Sequence, residues 1–88
     1  MSTFAADINP RASDVRVSDR QLAVTLVDGR TLTVPLAWFP RLAAATPEQR
    51  AQWRLIGQGE GIHWPGIDED ISVAGLLRGE RDITRQRG

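Results

Sequence analysis

The segment from Gln21 to Leu36 constrains the fold of this chain more than any other. Leu22, Val24 and Leu26 alternate with smaller or polar residues, and Leu32, Val34 and Leu36 do the same after Asp28-Gly29. A period of two is the pattern of strands that bury one face, and Asp-Gly between two such runs marks a hairpin. The side chains also select the loop. A loop of Asp28 and Gly29 alone sets Val24 against Thr33 and mixes the two faces. A loop of Val27, Asp28 and Gly29 sets Val24 against Leu32 and Leu22 against Val34. Because register follows the buried face, the longer loop is expected, with Gly29 at the left-handed bulge position of a type I turn.

Weaker signals extend this hairpin in both directions. Met1 to Ala12 lacks patterning and is expected to be a loose arm. Val15 and Val17 predict a short strand, and Ser18 to Arg20 a turn. Pro35 has no amide to donate, so it belongs on an edge or at a strand end, and the second hairpin strand finishes near Leu36. Trp38-Phe39-Pro40-Arg41-Leu42 predicts an apolar corner with a helical turn. Thr46, Pro47 and Gln49 form a capping-box pattern for a helix that Gly57 stops, with Trp53 and Ile56 facing inward. Gly57 to Gly61 is expected to be a flexible link, Ile62-His63-Trp64 a strand ended by Pro65-Gly66, and Asp68-Glu69-Asp70 a solvated acidic turn. Ser72 can cap a last short helix through Leu77, with Gly79 just beyond it, and Glu80 to Gly88 reads as a polar tail.

The fold expected is therefore α+β. A small antiparallel sheet, made of the N-terminal strand, the hairpin and a later strand, packs on two or three short helices. One domain spans residues 13–79, and Leu22, Val24, Leu32, Val34, Trp53 and Ile62 should share its core. The length of 88 residues suits a single domain.

Composition narrows the function. Eleven basic and eleven acidic residues give a formal net charge of zero. Neutrality speaks against non-specific nucleic-acid binding, which rests on a basic footprint. Every basic residue is Arg. Coding bias in a high-GC genome accounts for this, and so does a need for planar bidentate donors at an interface. The sequence contains no Cys, hence no disulfide, thiolate nucleophile or zinc–thiolate cluster. No apolar run reaches the roughly 18 residues of a spanning helix, and the N-terminus lacks the pattern of a secretory signal. A cytoplasmic setting without membrane association is expected.

Few residues carry chemistry. Gly57, Gly59 and Gly61 lack the Lys-Ser/Thr ending of a phosphate loop. His63, with Asp68 and Asp70, offers three metal ligands, or an acid–base pair with one carboxylate. A structural hydrogen-bonding role explains a lone His between Ile62 and Trp64 more simply. The nucleophile candidates are hydroxyls, and Ser72 has a capping role to fill. An enzyme is not expected, and no metal or cofactor is implied. Trp38, Trp53 and Trp64 suit a small core, while any exposed member suits an interface anchor. Glu60, Asp68, Glu69 and Asp70 concentrate negative charge between residues 55 and 77, and four Arg follow between residues 78 and 88.

Three separated motifs occur in order: the Leu22 to Leu36 hairpin after Asp14-Val15, then Val34-Pro35-Leu36-Ala37-Trp38-Phe39-Pro40-Arg41-Leu42, then Gly61-Ile62-His63-Trp64-Pro65 through Asp68-Glu69-Asp70-Ile71-Ser72-Val73 to Gly75-Leu76-Leu77. Together they resemble the bacterial domain-of-unknown-function family 2442 over roughly residues 10 to 79. Ala74 departs from the pattern, which favours an acidic residue there. The resemblance implies a small α+β domain. It further implies relatives fused to a helix-turn-helix domain, and relatives encoded beside a second small domain in pairs similar to toxin–antitoxin modules. It transfers no catalytic residue.

The leading expectation is a non-enzymatic protein-interaction module, the antitoxin-like or accessory member of such a pair. Its candidate surface is Trp38, Arg41, Trp64, Asp68, Glu69 and Asp70. A DNA-binding regulator is the alternative. The partner expected is a protein, with DNA second; self-association stays open.

Overall fold

The computed structural model describes residues 10–80. Most of the expected N-terminal arm and of the polar tail lies outside the described residues. Ala12, assigned to the arm from sequence, instead opens the first strand and is buried.

The first three strands are β1 (Ala12–Val17), β2 (Gln21–Leu26) and β3 (Thr31–Pro35), paired antiparallel in the order β1-β2-β3. The β2–β3 register is the one that the side chains demand, Leu22 opposite Val34 and Val24 opposite Leu32. The Gly29 amide donates to the Leu26 carbonyl at 2.9 Å, and the Leu26 amide donates to the Arg30 carbonyl at 2.7 Å. That leaves Val27, Asp28 and Gly29 as the loop, with Gly29 at φ 97°, where a Cβ would be strained. Asp28 reinforces it: Oδ1 accepts from the Arg30 amide at 3.0 Å, and Oδ2 from Arg30 Nε at 2.8 Å. Pro35 closes an edge strand, where its missing donor interrupts nothing.

A 3-10 turn (Leu36–Trp38) and two short helices follow, α1 (Pro40–Ala43) and α2 (Pro47–Ala51). Thr46 and Gln49 form both halves of the capping box at 3.1 and 3.0 Å. The helix nevertheless ends at Ala51, not at Gly57. Five residues make little helix on their own, and pairing with another strand takes the chain that follows. Arg54–Ile56 is β4, and Gly57 to Glu60 is a tight turn into β5 (Gly61–Trp64). Ile56 is exposed, and Trp53 is only half-buried against the core.

The acidic segment corrects a second expectation. Glu69–Ser72 is a strand, β6, and the second sheet has the order β4-β5-β6. The later strand thus belongs to a sheet of its own. Ser72 then caps α3 (Val73–Leu77), its hydroxyl accepting from the Gly75 amide at 3.1 Å.

The two sheets share one core. Leu22, Val24 and Val34 of the first lie in a single cluster with Ile62, Trp64 and Ile71 of the second, and Leu36, Phe39, Leu42 and Leu76 are among the residues that join them. Leu32 is only partly buried at its margin. The seam is also hydrogen-bonded, the Ala12 amide donating to the Gly59 carbonyl at 2.7 Å, and the Val73 amide extends the β5–β6 ladder by donating to the Glu60 carbonyl at 3.0 Å. Gly59, at φ 105°, must be glycine on two counts, since a Cβ there would also run into the Ala12 backbone. The glycine run is therefore a pinned turn. The α+β expectation holds, as two small antiparallel sheets with three short helices among the described residues.

Candidate interaction surface

The corner after β3 sorts its own residues. The Leu36 amide donates to the Arg20 carbonyl at 2.8 Å and the Phe39 amide to Leu36 at 2.9 Å, which folds the chain back on the core. Leu36, Phe39 and Leu42 point inward and are buried. Trp38 is half-buried, and Arg41 stands on the outside of α1.

The second motif is sorted by strand alternation. Ile62 and Trp64 of β5 face the core, and His63 faces out with its side chain 32% exposed. On β6, Glu69 and Ile71 face in, and Asp70 faces out. Trp64 lies opposite Glu69, and His63 lies opposite both Asp70 and Arg54 of β4. The outer face of this sheet thus carries a cross-strand row of Arg54, His63 and Asp70. His63 Nδ1 and Asp70 Oδ1 are hydrogen-bonded.

Six residues were expected to form the surface, and two do not reach it. Trp64 is fully buried, with its indole Nε1 donating to the Arg50 carbonyl at 3.0 Å. Glu69 is 1% exposed. Both sit on the inward side of a strand pair, so neither can touch a partner of the folded chain. Arg41, Asp68 and Asp70 are exposed as expected, and Trp38 is partly so.

The structure also brings the two motifs together. Arg41 Nη1 donates to the Asp68 carbonyl at 2.7 Å. Asp68 adopts φ 54°, a left-handed conformation that Asp tolerates better than most residues. A turn from Trp64 to Ile67, closed at 3.3 Å, carries the chain to that point. His63 and Asp70 meet, but among the described residues no group of three His, Cys, Asp or Glu is placed to hold a metal.

Arg50 is the residue that sequence reasoning missed. Its side chain is 11% exposed and donates to the Leu42 carbonyl at 3.1 Å, the Ala43 carbonyl at 2.8 Å and Asp19 Oδ1 at 3.1 Å. It thus satisfies the open end of α1 and ties it to the β1–β2 turn, while its backbone carbonyl receives Trp64. No local pattern distinguishes it from the other ten Arg.

Comparison with known proteins agrees with this arrangement. The model of the family described as "Protein of unknown function (DUF2442)" matches residues 12–82. The chain belongs to this family. Two solved structures share the fold, each with a TM-score of 0.71. A crystal structure of a protein of unknown function from Rhodospirillum rubrum is 32% identical, over 82% of this chain and 89% of that one. A solution NMR structure of an uncharacterised protein from Chromobacterium violaceum is 25% identical, over 89% of this chain and 73% of that one. No curated protein matches the chain.

As a DUF2442 domain, the chain divides its motifs into two parts. Phe39, Leu42, Ile62 and Trp64 build the core, and Arg41, Asp68 and Asp70 are left on the outside.

Proposed function

We propose that this DUF2442 domain is a non-enzymatic protein-interaction module, the antitoxin-like or accessory member of a bacterial two-gene module. Its partner lands on Arg41, Asp68 and Asp70, and the half-buried Trp38 belongs to the same motif as Arg41. One observation carries the reading: the Arg41–Asp68 hydrogen bond joins exposed members of motifs that lie 27 positions apart. The buried members of the same motifs hold this patch on a packed core, so a partner meets it with little ordering left to do. Exposed charges of both signs suit a protein partner, since rim charges steer encounter and Arg anchors slow dissociation. Three of the four Arg that favour the DNA-binding alternative, Arg81, Arg85 and Arg87, lie outside the described residues.

The test is capture from a lysate of the native host, using the wild-type protein beside Arg41→Glu and Asp70→Lys. A discrete host protein held by the wild type and lost by both variants, at unchanged melting temperature, supports the reading. Equal capture by all three removes the surface. A gel shift with DNA from the chain's own upstream region, at physiological salt, favours the alternative.

A further inference from the structure

Among the described residues the two sheets have four edges, and three of them resist pairing. β1 carries a bulge between Ala12 and Asp14 and the charged pair Asp14–Arg16. β3 presents Thr31, Thr33 and Pro35, and β6 presents Asp70 and Ser72. Bulges, charges and proline are the usual protections of an open edge. β4 has neither bulge nor proline, and its one charge is Arg54. Its residues Arg54, Leu55 and Ile56 are all exposed, Leu55 by 37% and Ile56 by 44%.

The backbone of β4 is also arranged for a twofold contact. The Ile56 carbonyl accepts from the Gly59 amide at 3.1 Å, so it turns toward the hairpin and β5. Backbone groups alternate along an antiparallel ladder, which turns the N–H and C=O of Leu55 to the open edge. A second β4, running antiparallel with Leu55 opposite Leu55, exchanges two hydrogen bonds at that one residue. The same register sets Arg54 of each copy opposite Ile56 of the other, and next to Gly57. The Glu60 carboxylate lies directly over Gly57, in the space that a Cβ would fill. Arg54 of one copy therefore meets Glu60 of the other, twice by symmetry. Among the described residues neither side chain has an ion pair within its own chain.

We propose that β4 is a self-association edge on which two copies of this chain pair antiparallel about Leu55, joining their second sheets into one. The contact is isologous, so association stops at the dimer. It is separate from the Arg41–Asp68 surface and does not depend on it. Two backbone bonds and four apolar side chains make an interface at the small end of the range, so the dimer forms at high protein concentration.

Sedimentation equilibrium over a rising concentration series tests this. The wild type goes from monomer to dimer without larger species. Arg54→Glu and Glu60→Arg each raise the midpoint concentration about tenfold by turning two attractions into two repulsions. The double variant, with the pair reversed, returns to near the wild-type midpoint. Leu55→Lys abolishes the dimer at unchanged circular dichroism; if that variant does not fold, the charge series alone decides. A wild type that stays monomeric up to its solubility limit overturns the proposal, as does open-ended association or a dimer insensitive to all the charge variants.

Discussion

The two sheets have the same number of strands but are stabilised in different ways. The first uses strands of five and six residues, alternates cleanly, and closes its hairpin with a loop matched to its register. The second uses strands of three and four residues, places Glu69 on its inner face and leaves Leu55 and Ile56 at an open edge. Local pattern suffices for the first. The second depends on what it packs against: Trp64 within the core, the Arg50 carbonyl bonded to its indole N–H, and the Gly59 turn against β1.

Trp64→Ala should therefore have the largest effect on stability. Truncating a fully buried Trp costs about 3–5 kcal/mol, close to the whole stability of a small domain. Urea unfolding should show the variant largely unfolded in water, and a loss below about 1 kcal/mol means that the second sheet does not rest on this residue.

Arg50→Ala comes next, at about 2–3 kcal/mol, because it leaves two carbonyls at the end of α1 without a charged donor. Asp19→Ala should cost well under about 1 kcal/mol, since its carboxylate is on the surface. Equal losses for the two would put the weight on the ion pair instead of the carbonyls.

Val34→Ala addresses the first sheet. Its loss should be about 1–3 kcal/mol if Val34 opposes Leu22 in the core. Thr33→Ala, one residue away on the outer face, should stay within about 0.5 kcal/mol. An unchanged melt for Val34→Ala contradicts the register.

The smallest effect belongs to the hairpin loop. The Arg30 amide bonded to Asp28, and then the Arg30 side chain, hold the Asp28 carboxyl below its ordinary pKa of 3.8. A depressed pKa in the folded state stabilises the protein above the unfolded value, and that stabilisation fades as pH falls through the folded value. The difference between wild type and Asp28→Asn in urea midpoint should therefore be constant near neutrality and shrink below about pH 4. A difference that grows on acidification reverses the assignment.

The same contrast decides what was legible in the sequence. Two apolar pairs, Leu22 with Val34 and Val24 with Leu32, made one hairpin register better than any other, and Thr46, Gln49 and Ser72 declared their caps in single residues. β4 was hidden because Trp53 and Ile56 stand at helical spacing behind a true capping box. Only the pairing of Arg54 to Ile56 with β5 shows that the helix has ended. β6 was hidden because Glu69 occupies an inward position, where an apolar residue would have completed an alternation with Ile71 and Val73. Ile71-Ser72-Val73 was the available signal. For the surface, Arg41, Asp68 and Asp70 followed from residue type, whereas Trp64 and Glu69 needed the strand register to reveal which side of the sheet they occupy.

The proposed function requires that the motifs divide into buried members that hold the fold and exposed members that meet a partner. Its most direct measurement is melting temperature and host-protein capture on the same two variants, Trp64→Phe and Asp70→Lys. Trp64→Phe, which loses the bond to the Arg50 carbonyl, should melt lower by about 4–8 °C and keep the captured protein. Asp70→Lys should stay within about 4 °C of the wild type and lose the captured protein. Capture that falls in proportion to stability in both variants contradicts the division.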